Sequence, residues 1–163
     1  MTITDPTGID LPIQTLQAQF LTHLFTGKLY SSYGRAFVNP GGLPYVYIGS
    51  NDYQEALMDD SVEDAVSYFT VEPIEEVHLS EAMATVSIYF MVNLSKLFSY
   101  THRAVEEVHQ LVSREINRSP FQVTRLITGQ ESVKDFTTRN PERLNMQPFY
   151  CFKFECSITY KLC

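Results

Sequence analysis

Apolar and polar residues alternate along two long stretches of the chain. In residues 83–94 (MATVSIYFMVNL), the even-numbered positions from Val86 to Leu94 are apolar and the odd-numbered positions are mixed. Residues 149–162 (FYCFKFECSITYKL) alternate in the same way. Alternation of β-branched and aromatic residues with a period of two predicts half-buried β-strands. Both stretches exceed the roughly five or six residues of a typical strand, so we expect them to form the centre of a sheet.

Two other segments have the 3.6-residue period of an amphipathic helix. The pattern predicts a first helix over residues 12–26, where Pro12 suits the first helical position. It predicts a second helix over 102–117, capped by Ser99 or Thr101 and ended before Ser119-Pro120. The apolar stripes of the two helices are formed by Ile13, Leu16, Phe20, Leu21 and Leu24, and by Val105, Val108, Leu111, Val112 and Ile116.

Shorter apolar runs predict three more strands, over residues 43–48, 65–71 and 122–128. The order of elements predicts an α+β fold in one domain, residues 1–163, with a mainly antiparallel five-stranded sheet and two principal helices packed on one face. Residues 1–11 are expected to form an extended arm. Residues 129–147 are expected to form a long polar loop, with or without one helical turn, that contacts other subunits. The sheet's other face, with Tyr89, Met91 and Phe149, is predicted to be exposed and to need a partner.

The charges are unevenly distributed along the chain. The formal net charge is −7, which disfavours sequence-specific DNA binding. Residues 51–81 contain ten acidic residues and no Lys or Arg, whereas residues 96–163 contain more Lys and Arg than Asp and Glu. This distribution suits a head-to-tail contact between copies of the chain. The candidate interface residues are Asp59, Asp60, Glu63 and Asp64 on the acidic side and Arg114, Arg118, Arg125, Arg139 and Arg143 on the basic side.

A second use of the acidic stretch stays open at this point. If copies form a ring, part of residues 52–81 could line the channel instead. Like charges would then let DNA pass without adhering to the protein.

Motifs of known chemistry are missing from the sequence. It has no phosphate-binding loop, dinucleotide-binding glycine pattern, nucleophile elbow or H-E-x-x-H. His102, Glu106 and His109 fall on one side of the second predicted helix, where they could hold a metal ion or form a solvated flank. Nothing supplies the further ligands that such a site needs, so we expect no cofactor and no catalytic residue.

The cysteines and the terminal sequence bear on the cellular compartment. Cys151 and Cys156 lie an odd number of residues apart in one predicted strand, so they should point to opposite faces and cannot form a disulfide with each other. We therefore expect reduced thiols. The N-terminal residues do not resemble a signal peptide, and no run approaches the roughly 20 apolar residues of a membrane span. No membrane association is expected.

In the order and texture of its elements, the chain resembles the tail-terminator and neck-ring proteins of tailed bacteriophages. The resemblance runs from residue 13 to residue 162. It consists of an opening helix, a proline-led strand with an acidic turn (43–52), a strand ending in Val71-Glu72-Pro73, the long strand at 83–94, a covering helix and a closing long strand.

The resemblance implies a non-enzymatic virion protein, made in the host cytoplasm and located in the neck or tail. Copies would form a six- or twelve-fold ring at the head–tail junction or the top of the tail. Genomic DNA would pass through without sequence-specific binding, and portal, connector or tail proteins would pack on the ring. The alternative is a small cytosolic α+β enzyme or ligand-binding domain whose site cannot be read from the sequence.

Overall fold

The computed structural model describes residues 3–73, 76–78, 80–137 and 146–162 of the chain. Its helices are α1 (Asp10–His23), α2 (Leu94–Leu97) and α3 (Ala104–Asn117), with a 3-10 helix over Gly129–Val133. Its strands are β1 (Tyr30–Arg35), β2 (Phe37–Val38), β3 (Pro44–Gly49), β4 (Asp52–Glu55), β5 (Ala65–Val71), β6 (Glu76–His78), β7 (Glu81–Asn93), β8 (Gln122–Thr128) and β9 (Phe149–Lys161).

The two long alternating stretches form the centre of the main sheet. Strands β7 and β9 pair antiparallel in continuous register, from Glu81 opposite Lys161 to Asn93 opposite Phe149. The strand order is β1-β5-β7-β9-β8, with β6 paired to β7, and β1–β5 is the parallel pair in this otherwise antiparallel sheet. The predicted α+β class with a mainly antiparallel sheet is confirmed. A further sheet, β2-β3-β4, was not predicted.

Both principal helices pack on one face of the main sheet, as predicted. The even-numbered side chains of β7 lie in one core cluster with Phe20 of α1 and with Val108 and Val112 of α3. We call this cluster the helix-side core. Phe90 is 1% exposed, and its ring centroid lies 5.5 Å from that of Phe20. Burying a side chain of this size stabilises the fold by about 1.5–3 kcal/mol.

The opposite face of the sheet is covered, so the predicted exposed aromatic face is wrong. Tyr89 and Met91 are 3% and 2% exposed. They belong to a second core cluster with Val46 of β3 and with Val133 and Phe136 from the segment after β8. The cover comes from the small sheet β2-β3-β4 with the segments next to it, and from the start of the 129–147 loop.

The bounds of some predicted elements match the structure, and those of others differ. The strands over 65–71 and 122–128 have the predicted bounds, while α1 begins at Asp10 and ends at His23 rather than spanning 12–26. The cap prediction for α3 is wrong, because Arg103 is its N-cap residue and makes no capping hydrogen bond with its side chain. Thr101 instead accepts a hydrogen bond from Ala104 through its backbone carbonyl.

Both segments predicted as irregular contact the rest of the domain. Within the predicted arm, the Ile3 carbonyl accepts a hydrogen bond from Gln14 Nε2, and Ile9 is buried in the helix-side core. Within 129–147, the predicted helical turn is the 3-10 helix, and the Thr137 amide donates to the Gly42 carbonyl at 2.8 Å. The remainder of this loop, 138–145, lies outside the described residues.

Candidate interaction surfaces

A groove lies beside α3, at the edge of the main sheet formed by β8. We call it the arginine groove; its volume is about 610 Å³. Leu126 of β8 is 39% exposed beside helix α3. It pairs across the sheet with Phe154 of β9, which is buried. These two side chains give the groove an apolar floor. The side chains that line it are His109, Gln110, Ser113, Arg114, Asn117, Arg118, Leu126 and Phe154.

A buried carboxylate positions the two arginines of this groove. The side chain of Glu115 is 1% exposed, and it accepts a hydrogen bond from Arg118 Nη1 at 2.9 Å and lies 3.5 Å from Arg114 Nε. From α1, Gln19 Nε2 donates to it at 3.1 Å and His23 Nδ1 lies 3.0 Å away. Two arginines facing one carboxylate leave the groove rim with positive charge.

The environment of Glu115 shifts its titration. Burial favours the neutral form, but hydrogen bonds from Gln19 and His23, together with the charge of Arg118, outweigh it and lower the pKa of Glu115. The carboxylate is therefore charged at neutral pH. Sequence reasoning missed this residue, although its spacing from Val108 and Val112 puts it on the buried side of the helix.

The predicted acidic interface residues form a compact turn, residues 59–64, which we call the acidic loop. Asp59 Oδ1 accepts hydrogen bonds from the Ser61 amide at 2.9 Å and the Ser61 hydroxyl at 2.6 Å. Asp64 accepts from the Leu29 amide at 2.9 Å and lies 3.5 Å from Lys96 Nζ. Asp64 therefore fixes the loop to the domain.

Lys96 and Tyr33 contact the acidic loop at two further predicted interface acids. Lys96 Nζ donates to the backbone carbonyl of Asp60, and the Tyr33 hydroxyl lies 3.4 Å from a carboxylate oxygen of Glu63. Val62, between these acids, is 61% exposed. The loop thus presents an aliphatic side chain among carboxylates.

The acidic loop and the arginine groove lie towards opposite edges of the main sheet. The acidic loop leads into β5, which neighbours the edge strand β1, whereas the groove lies at the other edge strand, β8. Arg125 is exposed on β8. Arg139 and Arg143 lie outside the described residues. Within one copy, therefore, the predicted acidic residues are not brought together with Arg114, Arg118 and Arg125, the basic candidates that the structure describes.

The candidate metal ligands do not converge. His102 and Glu106 are exposed, and the ring centroid of His102 lies 5.9 Å from that of Tyr100. His109 turns towards the sheet, where its Nε2 lies 3.0 Å from the Tyr150 hydroxyl, and burial lowers its pKa. Among the described residues, no three His, Cys, Asp or Glu side chains are grouped as metal ligands.

Two cysteines lie on opposite faces of β9, as predicted. Cys156 belongs to the helix-side core and Cys151 to the second core cluster. Both are free thiols, and burial raises the pKa of each to about 12. At neutral pH these thiols are protonated and unsuited to nucleophilic attack.

An aromatic surface on the small sheet was not predicted. Phe37, Tyr45, Tyr47 and Tyr53 share one face of β2-β3-β4, because Phe37 pairs with Tyr45 and Tyr47 pairs with Tyr53. Phe37 and Tyr53 are each 47% exposed, and their ring centroids lie 5.2 Å apart. The sequence signal was the alternation in Tyr45-Val46-Tyr47.

The turn between β3 and β4 explains how this small sheet forms. Ser50 and Asn51 have positive φ angles of 52° and 60°, as in the two-residue turns that match the twist of β-hairpins. A groove of about 800 Å³ borders the aromatic surface. It is lined in part by Arg35, Asn51 and Thr70.

Comparison with other proteins adds no identification. No protein-family model and no curated protein matches the chain. Among the described residues, no helix combines the length and apolar character that a membrane crossing requires.

Proposed function

We propose that this protein is a non-enzymatic subunit of a ring in the neck or tail of a tailed bacteriophage. The observation that carries the proposal is the placement of opposite charges towards opposite edges of one sheet, the acidic loop near β1 and the arginine groove at β8. A contact between two different patches of the same protein is heterologous. Repeated head to tail, it closes into a ring when the rotation per subunit permits.

The order of elements supports the same proposal. An opening helix, a long central strand, a helix that covers it and a closing long strand pair are the features on which the resemblance to tail-terminator and neck-ring proteins rests. Portal, connector or tail proteins would pack on the two faces of the ring, and DNA would pass through its channel.

Several charged groups of the domain hold the fold together. Glu115 links α1 to α3, as described above. Lys153, which is 3% exposed, lies 3.4 Å from a carboxylate oxygen of Asp135 and 3.5 Å from the Tyr89 hydroxyl. It thereby ties the segment after β8 to the main sheet. These roles suit a structural subunit.

Charge complementarity sets how such a ring should behave. An exposed ion pair contributes about 0–1 kcal/mol, so several pairs must act together to orient a subunit. Salt screens them over about 8 Å at physiological ionic strength. We therefore expect assembly to weaken as the salt concentration rises.

The mass of the purified protein in solution tests this proposal. The 18.7 kDa chain should form closed assemblies as its concentration increases, and mass photometry should resolve a single preferred copy number. Some subunits assemble only on their neighbours. Immunogold labelling of intact particles therefore complements the measurement, and label found away from the neck and tail would contradict the proposal.

The groove beside the aromatic surface favours a second candidate, a ligand-binding domain. Its volume of about 800 Å³ falls within the range of small-molecule sites, and Tyr47, Tyr53 and Arg35 offer aromatic and cationic contacts. A thermal-shift screen tests this candidate. A compound that stabilises the wild type but not Tyr53→Ala would support it, and stabilisation of both proteins alike would count against this groove.

A further inference from the structure

The arginine groove combines an apolar floor with a cationic rim. Phe154 is 3% exposed at the floor, and Leu126 beside it is 39% exposed. The side chains of Arg114 and Arg118 at the rim are 56% and 58% exposed although both contact Glu115. Such a surface suits a segment that carries a small aliphatic side chain flanked by carboxylates.

The acidic loop is a segment of that kind. The amides of Val62 and Glu63 both donate to the Asp59 carbonyl, at 3.0 and 2.8 Å, so the backbone forms a tight turn. Val62 is 61% exposed in this turn. Acidic residues precede and follow it in the sequence.

We infer that the arginine groove binds the acidic loop of a second copy of this chain, with Val62 against Leu126 and the carboxylates of Asp60 and Glu63 facing Arg114 and Arg118. This inference rests on the proposed ring function and specifies its contact. Charge complementarity selects the occupant, because the groove rim is positive and the loop is negative. Apolar complementarity fixes the register, because one exposed aliphatic side chain meets one exposed apolar floor.

The positions of the two surfaces dictate which copies meet. They lie towards opposite edges of the main sheet, so the loop of one copy meets the groove of another. Each copy then contributes its acidic loop to one neighbour and its arginine groove to another, which makes the contact directional.

Two single substitutions test the acidic loop and the arginine groove separately. Val62→Arg places a cation in the loop and should prevent it from entering a positive groove, while the variant's own groove stays intact. Leu126→Glu places a carboxylate on the groove floor, while the variant's own loop stays intact. Matched controls at other exposed aliphatic positions are Val38→Arg on β2, where the side chain is 50% exposed, and Leu21→Glu on α1, where it is 47% exposed. Thermal melts establish that all four variants fold.

Sedimentation velocity of each variant alone, and of the two mixed, is the test. Each variant alone should need at least about tenfold more protein than the wild type to assemble, because each has lost one partner surface. An equimolar mixture of Val62→Arg and Leu126→Glu should associate at concentrations where neither variant does so alone, beginning with a dimer of twice 18.7 kDa, because the intact groove of one binds the intact loop of the other. The two substituted positions carry opposite charges, so their own encounter can only add to this association. The two controls should assemble like the wild type.

Two other outcomes overturn the inference without testing the proposed ring function, which particle labelling tests separately. If both variants assemble like the wild type, loop and groove are not the contact, although a ring can still form through other surfaces. If neither the wild type nor the mixture associates, or if the groove binds another protein of the particle instead, the second copy is the wrong occupant. Particle labelling then decides the ring proposal independently.

Discussion

Phe90 and Phe152 lie directly opposite each other on β7 and β9, and their rings stack with centroids 5.1 Å apart and planes 5° apart. Both rings face the helix layer, and each is 1% exposed or less. This pair joins the two long strands where α1 and α3 cover them. Mutations here should therefore affect the stability of the whole fold.

The first prediction concerns Phe90→Ala. The substitution removes the ring from between Phe20 and Phe152, so it should lower the free energy of unfolding by about 3–5 kcal/mol. Urea denaturation followed by circular dichroism measures the loss. Phe37→Ala is the control, because Phe37 is 47% exposed and its removal should have a much smaller effect. Equal losses in the two variants would show that Phe90 is not part of the core.

The second prediction concerns Glu115→Gln. Removing the charge leaves Arg118 and His23 facing a neutral amide, which should cost about 1–3 kcal/mol at pH 7. Glu106→Gln, on the exposed side of the same helix, should be nearly neutral. A loss in Glu106→Gln as large as that in Glu115→Gln would contradict the structural role of Glu115.

The acid dependence of this difference follows from the pKa shift. The pKa of Glu115 is lower in the folded protein than its ordinary value of 4.5, so its charge stabilises the fold above that pH. The contribution disappears as the pH falls through the folded-state pKa. Urea midpoints of the wild type and Glu115→Gln should therefore converge as the pH is lowered below 4.5 and through the folded-state pKa. Curves that stay parallel from pH 7 to acid would refute the shift.

Thiol reactivity provides a third prediction. Cys151 and Cys156 are buried and protonated, so neither should react with Ellman's reagent at pH 8 in the folded protein. Both should react once the protein is denatured. In the Cys163→Ser variant, Cys151 and Cys156 are the two remaining cysteines, so the assay reports on them alone. Rapid labelling of the folded variant would show that β9 is less well covered than described.

Charge reversal of the acidic loop is the fourth prediction. Replacing Asp60 and Glu63 by lysine should abolish assembly, because a positive loop repels the arginine groove of the next copy. Asp59 and Asp64 are left unchanged, because Asp59 accepts the hydrogen bonds of Ser61 within the turn and Asp64 holds the loop to Leu29 and Lys96. The variant should melt close to the wild type. Assembly that is indifferent to both the reversal and added salt would exclude these residues from the contact.

The parts of the fold that could be predicted from sequence are those whose pattern is local. Strands β5, β7, β8 and β9 contain enough residues to display alternation, and α3 has a clear apolar stripe. Strand β2 has two residues, too few to show any period. The covering of Tyr89 and Met91 was missed for the same reason, because the segments that bury them have little periodicity of their own.

The candidate site was predictable in composition but not in geometry. The sequence identifies the acidic residues of the loop, yet only the hydrogen bonds of Asp64 show that this acid holds the loop to the domain. It identifies Arg114 and Arg118 as well. The apolar floor beside them depends on Leu126 pairing with Phe154, a contact between segments far apart in the sequence.

The ring proposal is tested by electron cryo-microscopy of tailed phage particles produced from the genome that encodes this chain. We predict a ring of six or twelve copies at the head–tail junction or the top of the tail, with the acidic loop of each copy in the arginine groove of the next. A particle whose neck and tail contain no such ring, with the chain located elsewhere or absent, would contradict it.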